Sequence, residues 1–250
     1  MELDLTFFAL AIPAVIFAGV SKGGFGSGAA FAATPLLALI LEPGQAIGVM
    51  LPLLVIMDFS ALKPYWKQWD GPSSKALIIG GIPGVIIGAA LYKIADPDFF
   101  RFLIGIVALG FVVFQLGRAW GLIRPAKAPI SDRVGLLFGV GAGFTSFISH
   151  AGGPVAAIYL LSKPLSKRTF QATTVIVFWV SNLIKFIPYL LLGIFTWQTA
   201  LADLYLAPFA LIGVWLGVWA HRMVPERLFF GLVYVFLTIA GTKLIYDALS

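Results

Sequence analysis

Ten apolar runs, at about 5–21, 27–41, 45–63, 75–94, 100–120, 133–149, 153–162, 169–192, 201–220 and 228–248, account for most of the chain. A helix that crosses a bilayer needs about 20 mostly apolar residues, and several of these runs reach that length. Of the 250 residues, 60% are hydrophobic and 11% charged, with a mean hydropathy of +0.99. A soluble domain carries about 25% charged residues, so lipid is the main solvent for this sequence. In lipid the backbone must satisfy its own hydrogen bonds, which points to an all-α membrane bundle.

The runs are interrupted at two related places. Ser21 to Gly28 reads SKGGFGSG, and Ser149 to Pro154 reads SHAGGP. Backbone that leaves the helix at membrane depth is tolerated where protein buries it or a water-filled cavity faces it. Each break joins a pair of short segments, which either cross singly or form a re-entrant hairpin. Interrupted helices at corresponding positions of two halves mark solute sites in secondary transporters.

The two halves follow each other in order at a spacing of about 125 residues. Ser21-Lys22-Gly23-Gly24 aligns with Ser149-His150-Ala151-Gly152, Asp58 with Asn182, Pro64-Tyr65 with Pro188-Tyr189, and Pro83 with Pro208. Residues 1–123 form the first repeat, 124–133 a cytoplasmic linker rich in proline and charge, and 134–250 the second. Loops 63–75, 118–133, 163–168 and 221–227 are basic, whereas 42–45, 94–99 and 193–199 are neutral or acidic. The positive-inside rule places the basic set in the cytoplasm and the N-terminus outside. Corresponding loops then fall on opposite sides, so the expected fold is a polytopic bundle of two inverted repeats with about 8–10 membrane segments. Met1-Glu2-Leu3-Asp4 lacks the basic start of a secretory signal, so the first run reads as a retained helix.

The net charge of +6 comes from 17 Lys and Arg against 11 Asp and Glu. Those basic residues sit in short loops between apolar runs, and orientation in the bilayer explains them without nucleic acid. With no cysteine and two distant histidines, the chain offers no disulfide, thiol chemistry or zinc set, and no cofactor is expected. The glycine runs lack the spacing and the strand–turn–helix context of a nucleotide-binding loop.

The candidate binding groups are few. Lys22, with backbone N–H groups of Gly23, Gly24 and Gly26, would hold an anion, since a helix that starts after a break turns its positive end toward the gap. The glycines have an alternative use in close helix packing. In the second break His150, flanked by Thr145, Ser146, Ser149, Gly152 and Gly153, would bind the anion or exchange a proton; Ser21 joins Lys22 in the first. Asp58, Asn182 and Lys185 are the polar residues set deepest in long apolar runs, and an intramembrane charge costs about 2.5–3.5 kcal/mol unless it faces a partner or a cavity. Asn182 and Lys185, three apart, share a helix face. Asp58 reads as a proton-coupling group, or as the partner of Lys185 in an ion pair that holds the repeats in register.

AGVSKGGFGSG with TPLLAL and MLPLLVIMD in the first half, and GFTSFISHAGGPVAAIYLL with NLIKFIPYLLLG in the second, resemble the TauE/SafE family of sulfite and organosulfonate exporters over nearly the whole chain. The resemblance implies a bacterial inner-membrane protein of two related halves, whose glycine-rich segments line the path with Asn182 and Lys185 near it. The sequence departs from the family's denser second glycine run at Ser149-His150-Ala151. The expected function is therefore secondary transport, in the outward direction, of a small sulfur or carboxylate anion by alternating access. Its partners would be that solute, a coupling proton or ion, and the lipid bilayer, with a homodimer left open. A passive anion channel is the alternative; an intramembrane enzyme built on Asp58 and His150 is disfavoured by the sparse polar set.

Overall fold

The computed structural model describes residues 1, 3–25, 29–123, 128–220 and 223–250. Among these there are helices and no strand. The ten runs appear as α1 (Leu5–Val20), α2 (Ala33–Leu37), α3 (Pro43–Leu62), α4 (Gly71–Ile94), α5 (Pro97–Ala119), α6 (Asp132–Ser149), α7 (Gly152–Leu161), α8 (Lys167–Leu191), α9 (Trp197–Ala220) and α10 (Glu226–Leu249). A π-helical turn, Ser21–Phe25, prolongs α1, and a short 3-10 turn, Ala30–Ala32, leads into α2. Gly26 and linker residues 124–127 lie outside the described residues.

Helix starts follow from side-chain caps placed at the ends of the apolar runs. Asp4, Asp70, Asp96 and Ser166 accept from the backbone N–H groups of Phe7, Ser73, Phe99 and Thr169. Each satisfies a donor that the first helical turn leaves open. The α7 start, behind Ala151, has no side-chain cap.

Among the described residues, seven helical stretches are long and apolar enough to cross a membrane: Leu5–Phe25, Pro43–Tyr65, Gly71–Ile94, Pro97–Ala119, Lys167–Leu191, Trp197–Ala220 and Glu226–Leu249. At about 1.5 Å per residue, the 10-residue α7 is too short to do so, and α2 is shorter still. Both belong to hairpins that return to the end of the bundle they came from. Met1, Asp4, Ile40 and Leu41 line one cavity, which puts the start of α1 beside the exit of α2. At the other end Asp132, at the start of α6, accepts from Lys163 Nζ and Tyr159 Oη, both at 2.6 Å, at the exit of α7. The two hairpins thus enter from opposite ends.

Half or more of α3 and α8 is buried, 61% and 50% of their apolar windows, against 28–39% for the other five long helices. They form the centre, and they carry Asp58, Asn182 and Lys185. Outer helices turn apolar side chains such as Ile86, Val113, Trp215 and Ile239 outward, where lipid would cover them. Around the centre α1 packs on α9 and α4 on α6, while α5 packs on α10. Glycines bring the first two pairs into backbone contact: a Cβ at Gly23 would lie 2.1 Å from the Val214 carbonyl oxygen, and one at Gly80 would lie 2.1 Å from that of Leu136.

Candidate functional site

The π turn after α1 places Lys22 against the central helices. Its Nζ donates to Asp58 Oδ1 of α3 and, at 3.4 Å, to the Leu54 carbonyl one turn earlier. Asp58 is 2% exposed, and its second carboxylate oxygen accepts from Asn182 Nδ2 of α8 at 2.7 Å. The first break, α3 and α8 therefore meet through one carboxylate.

Lys185 lies one turn further along α8 and is fully buried. Its Nζ has three partners: the Ser146 carbonyl and Ser146 Oγ, each at 3.0 Å, and His150 Nδ1 at 2.7 Å. Three acceptors match the three hydrogens of an ammonium. Among the described residues Lys185 has no carboxylate partner. The expected Asp58–Lys185 pair is thus replaced by Asp58–Lys22, because the π turn brings Lys22 level with Asp58.

His150 caps α6 in the left-handed region, at φ 57 and ψ 16, where glycine is the usual residue. Its ring is anchored at both nitrogens. Nε2 lies 3.0 Å from the Ile47 carbonyl of α3. A carbonyl only accepts, so Nε2 carries a hydrogen and donates it there. One further hydrogen lies between Nδ1 and Lys185 Nζ. With Lys185 as an ammonium, the pair carries one positive charge, whichever of the two nitrogens keeps the shared hydrogen.

Lys22, Phe31, Ser146, His150, Gly153 and Asn182 line a small cavity of about 20 Å³, joined by Ala30, Leu54 and Phe178. That is room for about one water molecule. A larger cavity of about 510 Å³ opens from Lys22, Gly23, Gly24 and Asp58 toward Tyr65, Lys167, Arg168 and Gln171, at the basic end of the bundle. At the acidic end a third cavity, of about 460 Å³, is lined by Glu42, Gly44, Tyr92 and Asp96 among others. Between it and the small cavity stand packed rings. Phe147 lies 6.4 Å from Tyr92 and 5.0 Å from Tyr189, and Tyr189 lies 6.3 Å from His150. Tyr189 also donates to the Phe147 carbonyl at 2.7 Å, which ties α8 to α6.

Not every candidate from the sequence faces these spaces. Thr145 donates to the Gly141 carbonyl and Ser149 to that of Thr145, so both hydroxyls serve their own helix. Gly24 is pressed on the Gly217 carbonyl, and Gly152 on that of Ala142, at 2.2 and 2.7 Å from a hypothetical Cβ. At these two, as at Gly23, the packing use of glycine operates, although Gly23 and Gly24 also border the larger cavity. Ser21 is fully buried at the head of the π turn. Asp58 and His150, which a hydrolase would bring together, are each bonded to other groups. The sequence reading missed Leu54 and Ile47, whose contribution is a carbonyl. It saw Lys167 and Arg168 only as orienting charge.

Membrane-length helices around buried lysines, open to the basic-end cavity and closed off from the acidic-end one by packed rings, fit a polytopic membrane transporter. A family model described as Sulfite exporter TauE/SafE matches residues 11–244, and the chain belongs to that family. It is also similar to the probable membrane transporter protein YunE of Bacillus subtilis (strain 168), with 24% identity over 233 residues, covering 84% of this chain and 83% of that one. No solved structure matches it.

Proposed function

We propose that this chain is a secondary transporter of a small anion, of the sulfite, organosulfonate or related sulfur or carboxylate class, acting outward across a bacterial inner membrane with its N-terminus outside. The observation that carries this reading is charge imbalance. Lys22 and the His150–Lys185 pair share one carboxylate, that of Asp58, so with both lysines protonated the centre holds one excess positive charge beside the small cavity. Burying such a charge without a counter-charge is costly, and an anion would relieve it. The uncapped first turn of α7, where Gly153 lines the small cavity, adds backbone N–H groups and the positive end of a helix dipole.

Residues 1–123 and 134–250, joined by 124–133, would act as inverted repeats. The packing of α1 on α9, matched by α4 on α6, is the pairing that an exchange of α1–α5 with α6–α10 would generate. The anion would enter from the basic-end cavity past Lys167 and Arg168. Rocking of one repeat against the other would then open the Tyr92–Phe147–Tyr189 barrier. That barrier favours a transporter over the passive channel, which needs a continuous path.

The test is a thermal-shift series on purified protein with sulfite, thiosulfate, sulfoacetate, sulfate and chloride. A ligand at about 100 times its Kd stabilises by about 2.7 kcal/mol, so the cognate anion raises Tm in a saturable way. Lys22→Ala is expected to abolish both that shift and flux in proteoliposomes. Undiminished flux in this variant would remove Lys22 from the site.

A further inference from the structure

We propose that Asp58 is a proton-binding residue that competes with the transported anion for Lys22, so that the anion binds together with a proton. This deepens the anion-transporter reading and rests on it.

The geometry carries the argument. Lys22 borders both the small cavity and the basic-end cavity, whereas Asp58 borders only the latter. Asp58 already occupies the Lys22 ammonium and is itself almost completely buried. An anion arriving at Lys22 would meet an ionised carboxylate on the same ammonium, at short range and away from bulk water. Like charges so placed do not both stay ionised. A proton on Asp58 removes the conflict. It enters from water in the basic-end cavity and bonds to the carboxylate oxygen that Lys22 leaves. Lys22 keeps its own proton and turns to the anion. Asn182 suits either state, since its amide donates to the other carboxyl oxygen, which accepts whether or not the first is protonated. A singly charged anion then moves with one proton as a neutral load.

The groups facing Asp58 are few. Lys22 comes from the π turn, and Asn182 from α8, with Lys185 one turn beyond it. Lys167 and Arg168 of α8 and Tyr65 lie across the basic-end cavity. On α9, Asp203 and Tyr205 are level with the start of α1, where Tyr205 meets Phe8, at the other end of α3. Arg101 of α5 is held at that same end by Glu42. The His150–Lys185 pair is satisfied by its own bonds and does not touch Asp58.

The experiment measures binding of thiosulfate and methanesulfonate, which do not titrate between about pH 5 and pH 9, together with proton uptake in weak buffer. Wild-type affinity is expected to fall by up to about tenfold per unit rise in pH, with about one proton taken up per anion. Asp58→Asn is expected to bind with no proton uptake and a flat pH profile, and more tightly than wild type at the alkaline end. Wild-type binding without proton uptake overturns the proposal, and that measurement needs no variant to fold. An Asp58→Asn protein that keeps the wild-type slope and uptake also overturns it, assigning the proton to another group. Absence of binding by both proteins at every pH overturns the anion site itself, and this proposal with it.

Discussion

His150 and Lys185 meet nitrogen to nitrogen, Nδ1 to Nζ at 2.7 Å, with no carboxylate on either among the described residues. The contact ties the tip of the α6–α7 hairpin to the central α8, and Ser146 completes the shell around the ammonium. Lys185→Met removes the charge while keeping a long unbranched chain. It is expected to weaken anion binding at least about tenfold, and to lower Tm because three buried acceptors lose their donor. Lys185→Arg is expected not to rescue binding, since a planar fork cannot serve three acceptors converging on one point. Thermal-shift titration with thiosulfate measures both.

The Lys22–Asp58 pair is buried on both sides, so breaking one half exposes the cost of the other. Removing one partner of a buried pair costs about 3–5 kcal/mol, whereas replacing both with neutral groups is often close to neutral. Lys22→Met and Asp58→Asn are each expected to lower Tm. The double variant is expected to lie nearer the wild type than the two losses summed. Additive losses would show that the contact contributes nothing to the fold.

Much of the bundle was legible because helices in lipid are read from apolar length, and Asp58, Asn182 and Lys185 stood out as polar breaks in such runs. Their pairing was not legible. It depends on the depth each side chain reaches, and the π turn that carries Lys22 to Asp58 leaves no clear mark in SKGGF. The glycines were ambiguous for a related reason. Gly23 meets Val214 and Gly24 meets Gly217, partners about 190 residues away that no local pattern reveals. His150 in a left-handed cap could have been suspected from its place before Ala151-Gly152, but its ring contacts could not.

Close packing at the first break gives a sign test. In an exposed helix, Gly→Ala gains about 0.5–1 kcal/mol. At Gly23 and Gly24 the new methyl would strike the backbone of α9, which cannot move aside as a flexible side chain could. Both substitutions are expected to lower Tm and yield in detergent. Gly110→Ala, in α5 with open space around it, is expected to leave Tm unchanged or raise it.

Lys167 and Arg168 border the basic-end cavity without touching Asp58 or Lys185. Their expected contribution is to attract the anion as it approaches, so reversing them should slow entry more than it weakens binding. Lys167→Glu with Arg168→Glu is expected to cut initial flux from that end several-fold at about 0.01 M salt, where the screening length is about 30 Å. Near 1 M salt the length shrinks to about 3 Å, and the difference from wild type should largely vanish. Because Lys167 opens α8, helix content and Tm are measured alongside, and both are expected to hold. A flux defect that persists at high salt would place these side chains in direct contact with the bound anion.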